Sequence, residues 1–233
     1  MDINKTRKIT KYALSSALLF NPLVATGSAF AADAKIDTSL IQSAVNELLK
    51  QGILEGNEKG DLNLEGKLTR IQVAALMARA LQLDVSSTPK GISFSDVSAD
   101  SWGAKYINAL SKIGVFIGSD GKFRPNDYLT KEEFAVILVR ITQTSIEGKG
   151  NNIPVSDADQ ISNWAKPYVQ AAIENGFIFA VNGKFTPKEH VVRQEVVVEA
   201  NNLIKSDNFE QYKESIGELL KDGKKISNSD PTI

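Results

Sequence analysis

Apolar residues recur along this chain with helical periodicity, and they do so in a repeating order. Val73, Leu76, Met77 and Ala80 lie on one face of a predicted helix; Phe134, Ile137, Leu138 and Ile141 form the same stripe in a second. A third helix, "RQEVVVEANN", keeps the spacing but carries Glu199 where Ile137 stands in the second. Three further helical patterns, "SLIQSAVNELLKQG", "SWGAKYINALSKIG" and "NWAKPYVQAAIENG", end on Gly52, Gly114 and Gly176, successive glycines 62 residues apart. Glycine there can take the left-handed conformation that closes a helix C-terminus. Tyr106 and Tyr168, Ala109 and Ala171, and Phe123 and Phe185 recur at the same interval.

After the glycine of the second and third patterns comes a tight-turn signal, Asp120-Gly121 or Asn182-Gly183, which predicts a small hairpin or bend. The first copy reads "EGNEKGDLNL", with Leu62 at the aromatic position. The stripe-bearing helices then begin on capping boxes, Thr69 with Gln72 and Thr130 with Glu133. In the third copy Val192 replaces the threonine and only Glu195 remains.

The predicted fold is therefore all-α: three helix–turn–helix units over residues 36–84, 92–145 and 153–205, with minor extended segments. Repeats of this length usually cannot bury their own apolar face, so each is expected to pack on its neighbours, the second helices meeting in a central bundle with grooves between units. "DNFEQYKESIGELLKD" then predicts an amphipathic helix over 206–222, bearing Phe209, Tyr212, Ile216, Leu219 and Leu220, packed on the repeats. Residues 223–233 are expected to be a disordered tail.

The N-terminus changes where this protein should reside. Lys5, Arg7, Lys8 and Lys11 precede an apolar stretch from Tyr12 to Ala25, and Ala29-Phe30-Ala31 supplies small residues at the −3 and −1 positions of a cleavage site. Residues 1–31 are read as an export signal rather than a membrane helix. The segment holds four bases and one acid, so removing it takes the formal net charge from −1 to −1 − 3 = −4. That balance offers no basic face for nucleic acid, and no other apolar run reaches the ~18–20 residues that span a bilayer. With no cysteine, an exported chain must fold by packing, without disulfides or thiolate metal sites.

The second unit, "FSDVSADSWGAKYINALSKIGVFIGSDGKFRPNDYLTKEEFAVILVR", resembles an S-layer homology (SLH) repeat: an aromatic-x-Asp-Val opening, a Trp, a helix ending in Gly, a turn with Phe-x-Pro, and a Thr-Arg-Ala-Glu-like helix start. The third unit is similar throughout, with Val155 at the Phe94 position. The resemblance implies a pseudo-threefold spindle around a central three-helix bundle, a monomer with an internal pseudo-trimer. It also implies an exported, non-catalytic module that anchors to Gram-positive walls by binding acidic secondary cell-wall polysaccharide, often ketal-pyruvylated, in grooves between repeats, with no cofactor.

On that resemblance the glycan contacts are Arg70, Lys131 and Arg193 at the helix starts, Asp96 and Asp157 at the openings, and Trp102 and Trp164. Elementary chemistry agrees. A basic group beside a helix N-terminus can meet a carboxylate with charge-assisted hydrogen bonds. A Trp face can cover a sugar's C–H surface, and an Asp can accept from its hydroxyls. The first unit departs from the pattern, with Leu40 at the Trp position and Asp33 one residue out of register. Each group also has a plain structural reading: solvated charges at helix starts, turn-forming aspartates, tryptophans that staple one unit to the next.

Two other classes stay open. A structural envelope protein could use the units for self-assembly, and a wall-glycan hydrolase could hide a carboxylate pair. The single histidine, His190, has no nucleophile partner in the sequence, and no phosphate loop or two-His metal motif is present. An anchoring repeat normally accompanies a further effector domain, for which 233 residues leave no evident room.

Overall fold

The computed structural model describes residues 37–86 and 94–226, so the expected export signal, Asp33 and residues 227–233 lie outside the described residues. Among the described residues seven α-helices follow in order: α1 Thr38–Lys50, α2 Arg70–Ala80, α3 Ala104–Lys112, α4 Lys131–Thr142, α5 Lys166–Glu174, α6 Arg193–Lys205 and α7 Phe209–Asp222. Extended structure among the described residues is confined to isolated bridges. The fold is all-α.

Local chemistry sets the ends of these helices. Gly52, Gly114 and Gly176 take φ of 67°, 81° and 68°, the left-handed stop expected at this repeated position. Both halves of the capping box form at Thr130: its hydroxyl accepts from the Glu133 amide, and the Glu133 carboxylate accepts from the Thr130 amide at 2.8 Å. At Val192 only the second half survives, with Glu195 accepting from the Val192 amide at 3.0 Å. Asp37, passed over in the sequence, caps α1 by accepting from the Ser39 amide at 2.8 Å. Asp120-Gly121 and Asn182-Gly183 form two-residue turns with positive φ at all four positions, closed by Ser119–Lys122 and Val181–Lys184 bridges.

Helices pair between units rather than within them. The first helix of each unit packs on the second helix of the unit before: α3 on α2, α5 on α4, and α1 on α6. The last of these carries the third unit back to the first. A smaller set of hydrogen bonds closes the same circle. The Leu129 amide donates to the Leu68 carbonyl (3.1 Å), Val191 to Leu129 (2.9 Å) and Leu68 to Val191 (3.1 Å). Leu68, Leu129 and Val191 are all about 1% exposed or less, so these buried polar groups satisfy one another. One contiguous apolar core results, to which every unit contributes.

Close packing explains one sequence feature at the α2–α3 contact. A Cβ on Gly103 would lie 2.4 Å from the Ile71 side chain, so Gly103→Ala is expected to push α3 off α2. The expected cost is about 1–3 kcal/mol, read as a lower urea midpoint at unchanged slope.

The C-terminal helix docks on the repeats, burying Phe209, Ile216 and Leu220 against α4 and α6. Its extension departs from the expected disordered tail. Residues 223–226 are held: Gly223 stops α7 in the left-handed conformation, and Ile226 is buried with its amide bonded to the Ile113 carbonyl at 2.9 Å. One apolar side chain that finds the core outweighs the polar composition around it.

Candidate functional site

Each second helix begins against the turn of another unit, and this junction places the three candidate cations. Helix α2 starts on the turn of unit two, with Arg70 and Ile71 amides bonded to the Asp127 and Pro125 carbonyls. Helix α4 does the same on Glu189 and Pro187 of unit three, and α6 on Gly66 and Leu64 of unit one. These first-turn amides, which a free helix N-terminus would offer to an anion, are spent on protein carbonyls. Anion recognition at a junction must then come from side chains.

The three cations differ in what holds them. Arg70 is 8% exposed, and each of its three guanidinium nitrogens makes a hydrogen bond. Its Nε donates to the Phe123 carbonyl and Nη2 to the Ile117 carbonyl, both at 2.9 Å, while Nη1 meets Glu133 at 3.2 Å. The rings of Phe123 and Phe116 lie 5.0 and 5.9 Å from its central carbon. Desolvation lowers its proton affinity and Glu133 restores part of it; it stays charged in ordinary buffers. Arg70 therefore braces the hairpin of unit two.

Lys131 pairs with Glu195 at 3.0 Å and Glu189 at 3.4 Å across the next junction. Being a point charge, it does not make the forked contacts that Arg70 makes. Ile178 stands where unit two has Phe116, so the space that ring and guanidinium fill at the first junction stays open here. A groove of about 680 Å³ results, with Phe134, Ile178, Phe185 and Val191 among its walls.

At the third junction the acid is missing. Glu133 and Glu195 answer Arg70 and Lys131, but the corresponding residue of unit one is Gln72, whose Oε1 accepts from the Thr69 amide at 2.9 Å. Arg193 is partly buried, and its buried Nε finds no hydrogen-bond partner. Desolvation lowers its proton affinity, opposed by the more distant Asp61. Of the three candidate cations, Arg193 is the one without a paired carboxylate among the described residues.

The aspartates serve the turns. Asp96 accepts from the Phe123 and Arg124 amides at 2.8 and 2.7 Å, and Asp157 from Phe185 and Thr186 at 2.9 and 2.8 Å. Arg124 and Thr186 have φ of 57° and 52°, a conformation uncommon outside glycine that these carboxylates stabilise. Desolvation works against the charge on Asp96, but the two amides hold its carboxyl below the usual carboxylate range. The tryptophans divide. Trp164 packs against the core, whereas Trp102 is 57% exposed, as is Leu40 at the matching place in unit one.

A family model described as the S-layer homology domain matches residues 93–135 and 156–197. The chain carries SLH domains. It is 31% identical over 209 residues to the surface-layer 125 kDa protein of Lysinibacillus sphaericus, covering 87% of this chain and 17% of that one. It is 28% identical to the S-layer protein sap of Bacillus anthracis, over 82% and 24% of the two chains, and 27% identical to a cellulosome-anchoring protein of Acetivibrio thermocellus, over 65% and 35%. The chain thus spans well under half the length of each of these relatives. The SLH match and these likenesses to surface-layer and cell-surface proteins make it a cell-surface protein.

Proposed function

We propose that the chain is a non-catalytic wall-binding module that recognises an acidic secondary cell-wall polysaccharide, such as a ketal-pyruvylated one, in the groove between units three and one. The observation that carries this reading is Arg193, which among the described residues has no carboxylate partner of the kind that answers Arg70 and Lys131. A sugar carboxylate there would gain a charge-assisted hydrogen bond without breaking an internal ion pair. Exposed Trp102 offers apolar surface to a longer glycan. Arg70, Lys131, Asp96 and Asp157 act at one remove, holding the turns that shape the grooves. The circle of contacts among the three units supports a pseudo-threefold spindle, and one chain would then supply all the grooves as a monomer.

Arg193→Ala is expected to weaken binding to purified Gram-positive walls roughly 10- to 100-fold, the worth of one charge-assisted contact, at an unchanged unfolding midpoint. Undiminished binding would remove Arg193 from the site. A self-assembling envelope role is the second reading, favoured by exposed Trp102 and Leu40, each 57% accessible on the first-helix side of its unit. It would show as chain-length-multiple species in sedimentation velocity without any glycan.

A further inference from the structure

The stripe position filled by Leu76 in α2 and Ile137 in α4, 5% and 4% exposed, is filled in α6 by Glu199, itself 8% exposed. Its carboxylate is met by a long hydrogen bond, 3.5 Å from Asn202 Nδ2. Burial pushes its carboxyl well above the usual range, and Glu195, one turn earlier, adds to the shift. Such a group costs folding stability, and among the described residues only the long Asn202 contact answers it. A costly buried acid of this kind points to a site.

Glu199 lines the open groove between units two and three, together with the apolar side chains of Phe134, Ile178, Phe185 and Val191. Around it stand Glu65, Glu189 and Glu195 against Lys131 and Lys184, a balance of −3 + 2 = −1 with Glu199 uncharged. Lys131 is already answered by Glu195 and Glu189. The groove therefore disfavours an anion. It suits a cation that brings its own apolar stem, because methylenes can lie on the walls while the cation offsets the desolvation of the one buried carboxyl.

The geometry points to a second binding site: the groove between units two and three takes a lysine-type side chain, its methylene stem against Phe134, Ile178 and Phe185 and its primary ammonium paired with Glu199. On binding, Glu199 releases its proton to solvent and the ammonium takes over the charge balance. Arg193 is not among the residues that line this groove, and the assignment does not rest on the glycan reading.

Calorimetric titration of the full chain with n-pentylamine and n-pentanol tests it. Pentylamine is expected to bind saturably and at least about tenfold tighter than pentanol, the worth of one partly desolvated ion pair. Glucosamine, an ammonium without an apolar stem, is expected to bind no better than pentanol. Glu199→Gln should abolish the preference for the amine while leaving pentanol binding as it was. Ile178→Phe, which restores the ring found at Phe116, should fill the groove and remove both. Arg193→Ala should leave pentylamine binding unchanged, so failure of this site and failure of the glycan site are distinguishable. Equal affinity for amine and alcohol, no measurable amine binding, or an undiminished preference in Glu199→Gln would overturn the assignment.

Discussion

Arg70→Ala is expected to destabilise the chain by about 3–5 kcal/mol, enough to unfold much of it at physiological temperature. The guanidinium supplies hydrogen bonds to two carbonyls, Phe123 and Ile117, and answers the Glu133 carboxylate. Truncation leaves all three without their partner in a site closed by two phenylalanine rings. Arg70→Lys is expected to recover only a fraction, because a lysine cannot reach both carbonyls and the acid from one nitrogen. Lys131→Ala sets the scale: its pairs with Glu195 and Glu189 sit at a groove mouth, and their loss should cost about 1 kcal/mol or less. Urea unfolding of the three variants checks the order. An Arg70→Ala midpoint equal to that of Lys131→Ala would mean that Arg70 is a surface charge and the first junction is open.

Glu199 is expected to make the fold less stable as pH rises. Its folded-state value lies well above the ordinary 4.5, because burial penalises the charged form. Above pH 4.5 the unfolded chain has lost this proton while the folded chain keeps it, so the folded state binds more protons and stability falls with pH. The slope from this one group is about 1.4 kcal/mol per pH unit and ends where the folded carboxyl ionises. Asp96 and Glu174 act in the opposite sense. Their folded values are lowered, Glu174 chiefly by Lys149 and Gln170, so their contributions are lost as pH falls. The difference between wild type and Glu199→Gln cancels those groups. Thermal unfolding from about pH 4 to about pH 8 should show the Glu199→Gln variant gaining on the wild type steadily above the ordinary carboxylate value. Parallel profiles would show that Glu199 is not buried in solution.

Much of the fold was legible because its signals are local. Left-handed glycines, capping boxes and Asp-Gly or Asn-Gly turns act within a few residues, and the 62-residue interval lines them up. The pairing of helices was not, since a period says that units must pack but not which helix meets which. That gap hid how differently the three candidate cations are held. Arg70, Lys131 and Arg193 look equivalent along the chain, and only the return of α6 to unit one reveals that Arg193 meets the unit that carries Gln72, not an acid, at the position of Glu133. Asp96 and Asp157 were open along the chain to a sugar and to a turn reading, because their turn role depends on the backbone angle of Arg124 and Thr186, which composition does not display. Glu199 was visible as a break in the stripe. Its meaning needed the groove, which exists because Lys131 and Ile178 together leave the space that Arg70 and Phe116 occupy.

Whether this chain holds to a wall glycan is tested most directly by co-sedimentation. Full chain is mixed with purified Gram-positive walls before and after acid extraction of the secondary polysaccharide. The expected result is pelleting with intact walls and loss of pelleting after extraction. Equal pelleting with extracted walls, or none with either preparation, would contradict glycan anchoring.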